Sequence, residues 1–253
     1  MIKNYDEPNF IFLDELESTN NYIANLVRSK QIIQPTIVSA DYQTAGRGQR
    51  ATKWQSFKSQ NALFSLFVQW NDLKVEDQFI LAMLAALSVC KVLEEITQLE
   101  VKVKWPNDIY VQNKKIGGIL IESELRGASV VSSIVGIGLN INQVNFDSDV
   151  RATSLKLETG QEHDRYGIIK NVTRTFLSNC QSCVPMEKAF PAIKKHYLRY
   201  LIGVNENVPV METATKKMTW IQPLDITASG LLIALDESGV LRTFDIKELQ
   251  WIL

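Results

Sequence analysis

Apolar residues along this chain recur in two rhythms, and the changes between them divide it into elements. Phe10 to Leu13 is a short apolar run that predicts a strand. Ser18, Thr19 and Asn20 can each cap a helix, and Tyr22, Ile23, Leu26 and Val27 then repeat at helical spacing. Thr36 to Tyr42 and Asn61 to Trp70 read as buried strands. Glu76 to Gln98 is the longest helical pattern, apolar on nearly all sides through its first half, which predicts a helix buried across a sheet. Further strands are expected at Val101–Lys104, Ile109–Val111, Lys115–Glu122 and Val130–Asn142. Their hairpin-length links, Gln112-Asn113-Lys114 and Arg126-Gly127-Ala128, make the pairing largely antiparallel. Residues 143–160 predict loops around a short turn. Two helices follow, Arg165–Cys183 and Ala189–Leu201, with Pro191 placed in the first turn of the second. From Asn207 the rhythm changes to short β segments: Val208–Glu212, Lys217–Ile221, Leu224–Thr227, Leu231–Leu235 and Val240–Phe244. The expected architecture is therefore α+β: a mixed, largely antiparallel sheet with helices over residues 1–203, and a small carboxy-terminal β-barrel module over 204–253.

Bulk properties narrow the chemistry. A formal net charge of −1 over 253 residues supplies no basic face for nucleic acid. The most apolar run, Phe79 to Leu93, is interrupted by Ser88 and Lys91 and falls short of the roughly 20 residues a membrane span needs. Three cysteines without a signal-like amino terminus fit a reducing cytoplasm. Cys180 and Cys183 form a Cys-x-x-Cys inside a helical pattern with no second pair, and His163 and His196 show no ligand spacing, so no protein-held metal site is expected. Neither a Gly-x-Ser-x-Gly elbow nor a P-loop lysine motif occurs.

Candidate chemistry gathers in five stretches. Between two strands lies Thr44 to Trp54, with Gly46, Arg47, Gly48, Gln49, Arg50, Lys53 and Trp54. Glycine admits close backbone approach and arginine presents a fork of donors, so this loop reads as a lid over an anionic small molecule. Ser18-Thr19-Asn20 at a helix start is either a plain cap or a seat for a polar ligand group. Asn107 and Asp108, after Trp105-Pro106, form either an Asx turn or a nucleotide-facing pair. Lys115 stands before the adjacent Gly117 and Gly118, which reads either as an ammonium beside approachable backbone or as a bulge at a sheet edge, with Lys114 expected on the solvent side. Gly136, Gly138, Asn140 and Asn142 share one face of the last strand and form a narrow polar wall suited to a flat ring; because no helix follows, this is not a dinucleotide fingerprint.

Taken in this order, the residues resemble the biotin protein ligase family. The match runs through Ser18-Thr19-Asn20, Gln43, the Gly46–Trp54 loop, Lys104–Asp108, Lys115–Glu122, Gly136–Asn142 and Ala152-Thr153-Ser154-Leu155. The resemblance implies the class II synthetase-like biotin/lipoate ligase fold and two half-reactions: biotin and MgATP form biotinyl-5'-AMP, then a lysine of a biotin carboxyl carrier domain takes the biotinyl group. It implies Lys115 and Arg47 as catalytic residues. It places biotin against Ser18, Thr19, Asn20, Gln43, Arg47, Gly48, Gln49, Lys115, Gly117 and Gly118. The nucleotide then falls to Arg47, Arg50, Trp54, Asn107, Asp108, Lys115, Gly138 and Asn140. Related enzymes also imply a homodimer paired through a sheet edge, and a basic loop that closes over the adenylate. Some relatives carry an amino-terminal DNA-binding domain; here Ser18 arrives too early to leave room for one.

Two rivals share parts of this pattern. A lipoate or octanoate ligase or transferase resembles it in fold, but the Gly-Arg-Gly-Gln-Arg loop is the biotin version. A catalytically idle biotin-binding regulator would have lost Lys115 or Arg47, and both are present. The chain also departs from the family's usual Gly-Arg-Gly-Arg-Arg-Gly-Arg loop, since Gln49, Ala51 and Thr52 stand where an arginine, a glycine and an arginine are common, and Lys247–Leu253 lacks an arginine many members place there. Gln49 keeps a hydrogen-bonding side chain but loses a charge beside the adenylate. Gln49→Arg is therefore expected to slow dissociation of biotinyl-5'-AMP, measured by chasing labelled intermediate; equal rates in both proteins would remove the proposed role of this position.

Overall fold

A computed structural model describes residues 8–49, 52–147, 151–183 and 185–252. Its larger sheet runs β1 (Asn9–Leu16), β2 (Thr36–Gln43), β3 (Ala62–Lys74), β7 (Ser129–Leu139), β6 (Lys114–Arg126), β5 (Asp108–Val111) and β4 (Val101–Lys104), in that spatial order. Only β1 and β2 are parallel; every other neighbouring pair is antiparallel. The hairpin links behave as their composition demands. Gln112 and Asn113 both adopt positive φ (47° and 62°), the two-residue turn that matches strand twist. Gly127, at φ 60°, opens the β6–β7 turn in a conformation that costs a side-chain-bearing residue strain.

Helices cover both faces. The short amphipathic α1 (Thr19–Arg28) closes a small cluster of Ile23, Ile32, Val38 and Phe67 on one side. On the other side, α2 (Phe79–Thr97) is buried along most of its length, as its all-round apolar sequence requires, and α4 (Arg165–Ser182) and α5 (Met186–Tyr200) pack on it. A single 3-10 turn, Val75–Asp77, takes the place of the helix start expected at Glu76, and Gln98 in the left-handed region ends α2. Within 143–160 the chain forms one short helix, α3 (Leu155–Thr159), capped by the Ser154 hydroxyl. Helix α5 begins at Met186, earlier than the sequence suggested, so Pro191 lies in its second turn rather than its first. The last strand of the large sheet ends at Leu139 rather than Asn142, with consequences for the site.

The carboxy-terminal segments form a five-stranded antiparallel sheet ordered β11 (Leu241–Phe244), β10 (Leu232–Asp236), β9 (Met218–Ile226), β8 (Val208–Glu212) and β12 (Leu249–Trp251). Two of the expected segments, Lys217–Ile221 and Leu224–Thr227, are one continuous strand, β9, and β12 had no counterpart in the sequence reading. These five strands make up the small β module expected after residue 203, with β11 and β12 at the two ends of the hydrogen-bonded order. One apolar core extends from α2 through Val208, Ile221 and Leu232. Trp105 fastens the two sheets: it is 1% exposed, and its indole N–H donates to the Gly230 carbonyl at 3.0 Å. Gly230 has φ 93° and lies against the Phe79 ring, a conformation and a contact that exclude a side chain. No described helix is long and apolar enough to cross a membrane.

Trp105→Phe keeps most of the apolar volume but orphans the Gly230 carbonyl. It is expected to cost about 2 kcal/mol and lower Tm by about 4–8 °C in a thermal melt. A melt superimposable on wild type would show that the bond does not hold the sheets together.

Candidate functional site

The parallel pairing of β1 with β2 puts their carboxyl ends side by side, Leu16 opposite Gln43. That register delivers the start of α1 and the start of the glycine–arginine loop to one place. Ser18 is the residue before α1, but its side chain makes no capping bond. Gln43 does the capping from the neighbouring strand: its Oε1 accepts the Thr19 backbone N–H at 2.7 Å. With Oε1 committed there, the Gln43 amide nitrogen is the group left to face a ligand. Thr19, Asn20 and Ser18 are all buried, and a hydrogen-bonded row continues inward. Ser65 Oγ lies 2.6 Å from both Thr19 Oγ1 and Asn20 Oδ1, and Asn20 Nδ2 donates to Glu122 Oε2 at 2.7 Å. Asn20 fits because position 136 is glycine; a Cβ there would fall on Asn20 Oδ1.

Beyond this polar end lies a cleft of about 360 Å³. Its wall is the face of β6 and β7 carrying Gly118, Leu120, Gly136 and Gly138. Lys115 reaches the same face through a bulge. Ile109 pairs with Gly117 and Tyr110 with Lys115, so Ile116 is the extra residue and Lys115 joins Gly118 and Asp108 instead of lying opposite them. Asp108 then holds two cations, Lys115 at 2.7 Å and Lys104 at 3.2 Å. Burial alone would lower the Lys104 pKa, but Asp108, with Tyr110 beside it, outweighs that and raises it above the usual lysine value.

The loop closes over the cleft as a tight double-back. Trp54 N–H donates to Gly46 O, Gly48 N–H to Thr52 O, and the Thr52 hydroxyl to Gln49 O. Trp54 lies on the glycine wall; a Cβ on Gly138 would stand 2.6 Å from its ring, and Lys115 Nζ is 5.7 Å from the ring centre. Its indole N–H is buried without a hydrogen-bond partner among the described residues. Arg47 turns toward Glu122, with Nη2 at 2.7 and 2.9 Å from the two carboxylate oxygens.

The structure brings Thr19, Gln43, Arg47, Gly48, Gln49, Trp54, Asn107, Asp108, Lys115, Gly118 and Gly138 to this one cleft. Ser18 and Asn20 stand just behind its surface. Gly117 does not face it: a Cβ there would press on Leu139 and Ile109 in the core. Arg50 lies outside the described residues. Asn107 lines the cleft while its amide donates to Ile119 O at 2.8 Å, an Asx-like tie to β6. Asn140 and Asn142 are not on a strand face with the glycines, since the chain leaves the sheet after Leu139. Asn140 latches the next segment through Ile116 O and Thr153 O, and lines a second cavity of about 450 Å³ beside Lys115 and Trp54. Asn142 is bonded to His163. Lys114 points away, toward Glu158. Cys180 is buried in the core and Cys183 lies at the end of α4. Sequence reasoning missed Ser65 and Glu122 as site members, and Thr213, Ile246, Leu249, Gln250 and Trp251, with which the second sheet closes the cleft. A lone serine inside an apolar strand was the available signal for Ser65; nothing local marked the others.

Among the described residues no group of three or more His, Cys, Asp or Glu is placed to hold a metal ion. Asp108, the one carboxylate among the described lining residues, is already committed to two ammonium groups.

Comparison with known proteins places these features in context. Residues 12–140 match the model of the "Biotin/lipoate A/B protein ligase family". The bifunctional ligase/repressor BirA of Bacillus subtilis is 32% identical over 235 residues, spanning 91% of this chain and 68% of that protein. The biotin–[acetyl-CoA-carboxylase] ligase of Mycobacterium tuberculosis is 30% identical over 141 residues, 54% of this chain and 51% of that one. In structure, the chain resembles the biotin protein ligase of Aquifex aeolicus in complex with biotin and ATP, with a TM-score of 0.74, 29% identity, and coverage of 96% and 97% of the two chains.

A raised lysine pKa contributes stability that is complete below the unfolded value near 10.5 and is lost as pH rises through the higher folded value. Asp108→Asn removes the cause. Its stability deficit relative to wild type is expected to be constant at neutral pH and to narrow above pH 10.5, followed by denaturant melts. A deficit independent of pH throughout would show that Asp108 does not act on Lys104 by charge.

Proposed function

Since the chain belongs to the biotin/lipoate A/B protein ligase family, we propose that it is an ATP-dependent ligase that activates biotin as biotinyl-5'-AMP and transfers it to a carrier-domain lysine. One observation carries the reading: a cleft with a buried row of amides and hydroxyls at one end and Arg47, Lys104 and Lys115 converging on a glycine wall at the other. The first end suits a neutral group that both donates and accepts, such as a ureido ring. The second suits a carboxylate meeting a phosphate.

The chemistry follows from those two ends. A biotin carboxylate oxygen attacks the α-phosphorus of ATP, the bond to the β-phosphate breaks, and pyrophosphate leaves. Two anions resist that approach, and Lys115 and Arg47 offset the repulsion. Lys115 is placed for the role by the bulge at Ile116, beside backbone that carries no side chain at 118 or 138. In the second step the neutral amine of the acceptor lysine attacks the acyl carbon, an amide forms, the acyl–phosphate oxygen bond breaks, and AMP departs as the amine loses a proton. Closure of the Gly46–Trp54 loop over the mixed anhydride excludes water that would hydrolyse it. In this reading Asn107 and Trp54 serve the nucleotide from the cleft they line, and Asn140 from the adjoining cavity.

Magnesium fits this site as the counter-ion of ATP and not as a resident metal, because Asp108 is neutralised by two lysines. A lipoate substrate fits less well: its dithiolane ring has no hydrogen-bonding groups and would leave the Gln43 amide nitrogen facing it unpaired. An idle biotin binder would have no use for Lys115. The reading extends to a cytoplasmic enzyme that modifies a carboxylase carrier domain without nucleic acid, and to pairing of two copies through a sheet edge, of which β1 is one.

Labelled biotin transfer to a carrier-domain fragment with MgATP tests the reading. Wild type is expected to label the fragment only with ATP, excess lipoate is expected to have no effect, and Lys115→Ala is expected to lose at least about a hundredfold in rate, the scale for removing one preorganised charge. Suppression by lipoate, or labelling that survives in Lys115→Ala, would overturn the substrate or the residue assignment respectively.

A further inference from the structure

Among the described residues, Glu122 is the one side chain bonded both to Asn20 at the polar end of the cleft and to Arg47 of the basic loop. It lies on β6 two pairs beyond Gly118, on the same face, and is about 39% exposed. Its Oε2 accepts from Asn20 Nδ2 and from Arg47 Nη2, both at 2.7 Å, while Oε1 accepts from Arg47 at 2.9 Å. A carboxylate only accepts, so Asn20 must turn its NH2 toward Glu122 and its oxygen toward Ser65. That oxygen also only accepts, so the single Ser65 proton goes to it. The Thr19 hydroxyl is then left to donate, to Ser65 or to Gln43 Oε1, so the donor–acceptor order from Glu122 through Asn20 to Ser65 is set from one end.

We propose, building on the biotin-ligase reading, that Glu122 is a positioning residue that fixes the hydrogen-bond polarity of the ureido-binding row and moors the Gly46–Trp54 loop to it through Arg47. Three observations carry this. The carboxylate is shared between elements 75 and 102 residues away in sequence, so it joins parts that nothing local brings together. Apart from its own internal turn and its contact with the glycine wall, the described part of the loop finds its charged tie to the large sheet at this point. The neighbouring acid on the same strand and face, Glu124, accepts from the Ser132 hydroxyl and, among the described residues, bonds to neither the row nor the loop, so it serves as a control. Glu122 does not contact the reacting atoms in the proposed chemistry; it acts through Asn20 and Arg47.

Glu122→Gln is nearly isosteric, but it removes the negative charge that holds Arg47, and in either orientation of the amide its NH2 stands where an oxygen accepts from Arg47. Two measurements on the full chain test the proposal. Backbone amide exchange over residues 46–54, without ligands, is expected to quicken about three- to tenfold in Glu122→Gln and to stay unchanged in Glu124→Gln, in line with a partly exposed charged tie. Biotin-dependent ATP–pyrophosphate exchange is expected to show the KM for biotin raised about tenfold and the KM for ATP changed less than about twofold in Glu122→Gln. Glu122→Asp, which keeps both acceptor oxygens, is expected to recover part of the biotin KM; a purely structural filler would not distinguish Asp from Gln in this way. Unchanged loop exchange in Glu122→Gln would overturn the mooring role, and an equal rise in both KM values would overturn the ureido-row role. Absence of biotin-dependent exchange in wild type would fail the ligase reading instead, and the mooring would still be decided by the amide exchange.

Discussion

The first turn of α1 can rest on the large sheet because residue 136 has no side chain. Asn20 occupies the space a Cβ would fill, and from there its amide joins Ser65 to Glu122. Ser65, directly opposite Gly136 on β3, reaches the same atom, and Glu122 reaches the other end of the same amide. Glycine in a strand weakens it, and three glycines on one face of β6 and β7 would be a poor bargain for stability alone. Here the weakness sits where the sheet is otherwise well supported. Glycine 118 and glycine 138 pair with each other across the β6–β7 ladder, and α2 buries the opposite face.

A second constraint is charge. The cleft gathers Arg47, Lys104 and Lys115 within a chain whose net charge is close to zero, and in the ligand-free structure each is held by a carboxylate on the same sheet. Such pairs keep cations oriented without committing them, since a partly exposed ion pair is worth little and an incoming anion can compete for it. Asp108 holds two of these cations and Glu122 the third. Burial lowers the Lys104 pKa, and Asp108 more than offsets that.

The two sheets also divide the labour. The large sheet supplies the wall, the cations and the polar end, while the small one contributes an apolar and hydroxyl-bearing rim through Thr213, Leu249 and Trp251. Trp105 joins them at a point only two residues from Asn107 and three from Asp108, so the clamp between sheets and the cleft-lining turn belong to one short segment. The close approach of backbone at Gly230 to Phe79 is the matching half of that clamp.

Much of this protein was determined by its sequence. Element types and most of their limits followed from period, and the β5–β6 and β6–β7 hairpins from the composition of their turns, because those preferences act over a few residues. Site membership of Thr19, Gln43, Arg47, Asp108 and Lys115 was legible from residue type within motifs resembling a known family. Tertiary structure alone decided the rest, wherever the deciding interaction spans distant segments. The bulge at Ile116 changes which face Lys115 shares, something alternation could not foresee, and it turns Gly117 into the core while leaving Gly118 in the cleft. Asn140 serves as a latch and not as a wall because the strand ends one residue before it. Gln43, and not Ser18, caps α1, and Glu122 enters the site, because register between strands far apart in the chain brings them there. Local propensity selects the pieces; the pairing register, a property of the whole sheet, selects which side chains meet.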